Sequence, residues 1–157
     1  MRTRQTALSV LFALGLLASA AHAQQPRTSI GVLTCTSGAG IEDKGAAGNS
    51  RRMTCGFKPT GSGAEQQYSG TLRVAGQAAQ APEGKRVWVW SVTGPASPGA
   101  PSGGLAQKYV ADPRGSGGPV VVLVGESNDA ISLQAETSGG TAARVMEVEL
   151  KLLTTPA

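Results

Sequence analysis

The sequence predicts an all-β fold of about eight short, mostly antiparallel strands, forming a two-sheet sandwich or a small barrel with one disulfide. Three observations carry this expectation. Apolar and polar residues alternate with period two in one segment after another, and no stripe at helical spacing interrupts them. Clusters of Gly, Pro, Ser and Asn separate those segments, in a chain of 157 residues with 22 Gly and 9 Pro. Two cysteines, Cys35 and Cys55, fall inside two of the segments.

The first expected strand is Ile30–Thr36. The second, Arg52–Lys58, sets Met53, Cys55 and Phe57 on one face against Arg52, Thr54 and Lys58, so Cys55 points to the core. Gln67–Val74 aligns Tyr68, Leu72 and Val74 against Ser69, Thr71 and Arg73, the pattern of a half-buried antiparallel strand. Arg86–Val92 follows, then a Pro, Gly and Ser-rich stretch, 94–104, that reads as a loop. Leu105–Ala111 is a weaker strand, and the unbroken apolar run Val120–Val124 predicts burial on both faces. Ile131–Glu136 alternates cleanly after a turn at 125–129. The last segment places Met146, Val148, Leu150 and Leu152 opposite Glu147, Glu149 and Lys151.

Residues 1–23 read as a signal peptide, leaving residues 24–157 as a single all-β domain. Arg2 and Arg4 precede an apolar run of about fifteen residues, and Ala21-His22-Ala23 is a small-x-small cleavage site before Gln24. A membrane anchor needs about 20 apolar residues, and this run stops short of that length. The expected location is therefore periplasmic or secreted, where a Cys35–Cys55 disulfide persists. About half of the formal net charge of +4 leaves with the leader, and no basic stripe remains to favour nucleic acid. Stable membrane insertion is not expected either, because the strands are short for spanning and aromatic girdles are missing.

The search for chemistry is most informative in what it fails to find. His22 is the only histidine and departs with the leader, which removes Ser-His-Asp and Cys-His catalysis and every His-bearing metal site. Gly125-Glu126-Ser127-Asn128-Asp129 has half of a nucleophile elbow and then Asp in place of Gly, so it reads as a turn. Glycines at 103–104 and 117–118 lack the Lys that follows in a phosphate loop. Among carboxylates, Glu42-Asp43, Glu126 with Asp129, and Glu147 with Glu149 are the candidates for paired-acid glycan hydrolysis, and none resembles a calcium loop. Trp88 and Trp90 project from one strand face, either as core or as a platform for a small ligand. Arg51-Arg52 and Lys85-Arg86 read as solubilising, edge-protecting pairs. No cofactor, no metal and no catalytic residue is expected.

Several short pieces in a fixed order resemble a known family. They are Gly31-Val32-Leu33-Thr34-Cys35, Thr54-Cys55 with Phe57 and Pro59, Tyr68-Ser69-Gly70-Thr71, Val89-Trp90, Tyr109-Val110, Leu123-Val124-Gly125, and Ser127-Asn128 through Leu133-Gln134. Together they are similar to the domain-of-unknown-function 992 family of small secreted alphaproteobacterial proteins. The chain departs from that pattern in the Pro-rich loop after Thr93 and at Glu126. The resemblance implies an exported two-cysteine β domain, and it brings no activity, cofactor or catalytic residue to transfer.

The functional expectation is a non-enzymatic envelope or periplasmic β domain that binds or structures something, its partner an envelope component or a small ligand. The alternatives are a carrier of a small apolar ligand inside a barrel, with Trp88 and Trp90 facing a cavity, and a His-free glycan hydrolase using two carboxylates.

Overall fold

The computed structural model describes residues 27–38, 43–45, 48–75, 84–95, 102–112, 120–127, 130–136 and 145–153; the expected leader lies outside them. Nine strands run β1 (Arg27–Ser37), β2 (Asp43–Gly45), β3 (Gly48–Pro59), β4 (Gln66–Val74), β5 (Arg86–Pro95), β6 (Lys108–Ala111), β7 (Val122–Gly125), β8 (Ser132–Ala135) and β9 (Val145–Leu152). No helix occurs among the described residues. The hydrogen-bonded order β1-β5-β8-β7-β6-β9-β4-β3 returns from β3 to β1, so eight antiparallel strands close on themselves as a barrel. The short β2 stands outside this ring, paired to the first residues of β3. Closure decides between the two architectures left open by the sequence, and it removes the free edges a sandwich would keep.

Period-two alternation explains why these segments form a filled barrel. Leu33 and Cys35 of β1, Met53, Cys55 and Phe57 of β3, Tyr68 and Leu72 of β4, Trp88, Trp90 and Val92 of β5, and Val148 and Leu150 of β9 all turn inward and form one core. Outward positions carry exposed Thr34, Thr36, Arg52, Thr54, Lys58 and Lys151. This is polar outside and apolar inside, the reverse of a barrel that crosses a bilayer. No helix long and apolar enough to cross a membrane occurs among the described residues.

Three expectations need correction. The apolar run at β7 is not buried on both faces: Leu123 is buried, whereas Val122 and Val124 keep partial exposure, because a barrel wall has one solvent side. Met146 faces outward at 42 % exposure, and Val145 takes the inner place, because the β4–β9 register shifts between Arg73 and Val74. That bulge reverses the parity of the strand start. The segment 105–107 is not strand: Leu105 ends the turn at 102–105, fully buried, and residues 106–107 lead irregularly into β6.

The seam of the barrel is the β1–β3 pair, in register from Gly31 opposite Pro59 to Ser37 opposite Met53. Cys35 and Cys55 face each other in that register and form the disulfide, with both side chains buried. Tight packing accompanies it: a Cβ placed on Gly31 would lie 2.5 Å from the Phe57 ring, so only a glycine lets the ring lie against β1. The bridge closes a loop with sequence separation 20, which stabilises by about 3 kcal/mol in the chain-entropy account. Cys35→Ser is therefore expected to lower the unfolding free energy by about 2–4 kcal/mol in urea titrations under oxidising conditions, and an unchanged midpoint would show that the bridge contributes nothing.

Candidate functional site at the polar mouth of the barrel

The two ends of the barrel are chemically different. At one end Ser37 pairs with Arg86 and Met53, and Val74 pairs with Asn49 and Val145. β1, β4, β6 and β8 finish at this end and β3, β5, β7 and β9 start from it; it is hereafter the mouth.

Parity along β3 places Asn49 and Arg51 on the same inner side as Met53, Cys55 and Phe57. Arg51 accordingly retains 3 % of its surface, with its guanidinium inside the mouth rather than on the wall. Its Nη1 donates to the carbonyl of Gly84 at 3.2 Å and towards that of Gly38 at 3.5 Å, spanning β1 and the approach to β5. The forked guanidinium suits such bridging, because several donors leave it in fixed directions. Asn49 and Ser37 are buried beside it in the sequence of levels, and the Ser37 hydroxyl donates towards the Arg86 carbonyl at 3.5 Å. The expectation of a solubilising, edge-protecting Arg51-Arg52 pair fails for Arg51, which is buried; Arg52 is exposed, but β3 is paired on both sides and has no edge there to protect. The period-two pattern itself carried the missing signal, since Arg51 lies two residues before Met53.

One level further in, Trp88 sits opposite Cys35, and beyond it Trp90 sits opposite Leu33. Both indoles lie in the interior, stacked with ring centroids 6.5 Å apart and planes inclined by 16°. Among the described residues neither Nε1–H has a hydrogen-bond partner. An unmatched buried donor costs about 1–3 kcal/mol, so two on adjacent inward positions mark a local surplus of donors. The disulfide borders the same level through Cys35.

The opposite end is closed by its own side chains. Leu105, carried on the turn at 102–105, is fully buried, and its carbonyl accepts from the Tyr109 hydroxyl at 3.1 Å. Tyr68 donates to Gln66 Oε1 at 2.6 Å, and the same oxygen accepts from the Gly103 amide at 3.1 Å. Gln107 Oε1 accepts from the Ser127 amide at 3.1 Å and ties in the β7–β8 turn. The half-elbow at 125–127 therefore serves as part of a closed end, while Asn128 and Asp129 lie outside the described residues.

Glu126, Glu147 and Glu149 stand elsewhere, whereas Asp112 and Glu136 follow the mouth ends of β6 and β8. Glu126 and Glu147 share Lys108 on the outer wall, at 3.6 and 3.1 Å, and Glu149 meets Lys151 at 3.3 Å. Glu147 and Glu126 hold the Lys108 ammonium above its ordinary pKa, chiefly through the hydrogen bond it donates to Glu147. Glu42 and the Asp43 side chain fall outside the described residues. Among the described residues, no three His, Cys, Asp or Glu come together as a metal site.

The model of a family described as "Protein of unknown function (DUF992)" matches residues 15–152, and the chain belongs to that family. No curated protein and no solved structure matches the chain.

The closed end generates a pH dependence. Burial is the main cause that pushes the hydroxyls of Tyr109 and Tyr68 above their ordinary pKa, and these are the two tyrosines of the chain. In the unfolded chain both ionise near pH 10, while the folded form keeps its protons. The unfolded state therefore binds fewer protons above that pH, so stability is intact below it and falls as pH rises past about 10. Absorbance at 295 nm is expected to show no ordinary tyrosine step near pH 10 in the folded protein, only a step that coincides with alkaline unfolding; an independent step near 10 would contradict this burial.

Proposed function

We propose that this member of the family is an exported, non-enzymatic β-barrel module of the periplasm or cell envelope, binding its partner at the polar mouth. The observation that carries the reading is the convergence of buried Ser37, Asn49 and Arg51, three of the five buried polar or charged residues described, on one end of the barrel. Buried polar side chains are costly unless matched, and their concentration at one end distinguishes that end from the rest of the wall. A buried disulfide in a small β domain is compatible with an oxidising compartment outside the cytoplasm, which agrees with the leader read in residues 1–23.

Two observations bear on the alternatives. The pair of unmatched indole donors supports a small ligand inside the mouth, as a carrier would require, although large side chains such as Trp90, Tyr68, Tyr109 and Phe57 occupy the interior. Glycan hydrolysis has less support, because Glu126, Glu147 and Glu149 stand on the outer wall with lysines against them.

Native mass spectrometry of the protein isolated from the periplasm tests the reading. The expected mass is that of residues 24–157 less two hydrogens, accompanied by a bound partner or ligand that denaturation releases. A chain that keeps residues 1–23 with reduced cysteines would overturn export, and a consistently bare oxidised chain would overturn binding.

A further inference from the structure

The outer wall of the barrel is chemically divided. Arg52 and Lys58 of β3, Arg73 of β4, Lys108 of β6 and Lys151 of β9 stand on one half, with Glu147 and Glu149 among them. The other half is formed by β1, β5, β8 and β7, which are neighbours in the ring. On these strands no outward position level with residues 87–93 of β5 is charged. One row crosses all four as Val32, Ser91, Gln134 and Val122, each opposite the next. Val87 and Val89 extend the face along β5. Val87 is 64 % exposed and Val32 42 %.

β-Branched side chains have few rotamers to lose when they are covered, so a face of Val and Thr docks at low entropic cost. Interface cores are depleted in charge in the same way, and their rims are polar. Exposed Lys85 and Glu136, one of each sign, stand at the mouth rim of this face. Seven residues of strand and four strands measure about 23 Å by 19 Å, on the order of 400 Å² before side-chain relief is counted. Exposed patches of that size mark interaction sites.

The charge pattern selects the occupant. A twofold contact sets a surface against itself, so a cation-rich wall repels its copy, whereas an uncharged face does not. An anionic partner would be drawn instead to the half that carries Arg52, Lys58 and Arg73. Because the wall is closed, contact is face to face rather than by strand addition, and one such face per copy ends association at two.

We infer that two copies of this chain associate as a twofold dimer through the outer faces of β1, β5, β8 and β7, with Val32, Val87, Val89 and Val122 at the contact. The face lies on the wall and not at the mouth, so this goes beyond the binding reading, and its failure leaves that reading untouched. A face smaller than the roughly 800 Å² per partner of stable complexes sets the affinity in the micromolar range.

Sedimentation velocity of the oxidised protein, purified from the cells that make it, is expected to show monomer passing to dimer with a dissociation constant of about 10–100 µM and no larger species. The dimer should hold or strengthen in about 0.5 M sodium chloride, since the contact contains no charge to screen. Val87→Lys and Val32→Lys, both at exposed positions, should each weaken it at least about tenfold, because symmetry buries the added ammonium twice. Thr54→Lys, exposed on the opposite wall, should leave it as it was. Near-ultraviolet circular dichroism of the buried Trp88 and Trp90 checks that each variant keeps the fold. A protein that stays monomeric up to about 500 µM overturns the inference. A dimer that salt dissociates, or one that survives both valine substitutions together, overturns it as well, because the contact is then made elsewhere. If the copies stay apart while phosphatidylglycerol vesicles bind the protein and not the Val87→Lys variant, a lipid surface occupies the face and the dimer falls.

Discussion

The pairing of β1 with β3 is the constraint on which the remaining architecture depends. Without it the strand order is an open sheet with β1 at one side, and the inward residues of both ends of that sheet would meet water. Its register sets Cys35 against Cys55 and Leu33 against Phe57, so closure, the disulfide and the start of the core are one event. The same seam sets the levels of the interior, because β1 also pairs with β5 and thereby places Trp88 and Trp90 behind the mouth.

Much of this was legible in the sequence, and what escaped has identifiable causes. Inward parity was readable at Met53, Cys55 and Phe57, and at Tyr68 and Leu72, where one solvent face and one buried face produce strict alternation. Barrel closure was not, since alternation is the same in a sandwich wall and a barrel wall, and the β1–β3 register is a long-range fact. Met146 was misplaced because a bulge near the start of β9 adds one residue to the count, and the sequence there contains no Gly or Pro to announce it. The three-residue β2 is held by the extension of β3 and has too few residues to show a period.

Arg51 teaches a different lesson about candidate sites. A cation beside another cation invites a surface reading, and residue type outweighed position in that inference. Position was the better guide: in an alternating strand, a charged residue that keeps the parity of the core is either a break in the strand or a buried polar group with partners. Here the partners are main-chain carbonyls of Gly38 and Gly84, contributed by residues distant in sequence and invisible to any local pattern. Trp88 and Trp90 were identified by type and spacing alone, while their unmatched donors follow only from what the opposing strands supply.

The place of β9 in the ring has a consequence for the order in which the wall can be completed. It lies between β6 and β4, so the wall stays open on both of those strands until the last described strand arrives. Tyr68 of β4 finds its cross-strand neighbour in Leu152, near the far end of the described chain. A chain delivered across a membrane from its N-terminus would form the seam and its disulfide early, while two unpaired edges waited for the final segment. Until β9 docks, β4 and β6 would each present an unpaired edge of the kind through which sheets self-associate.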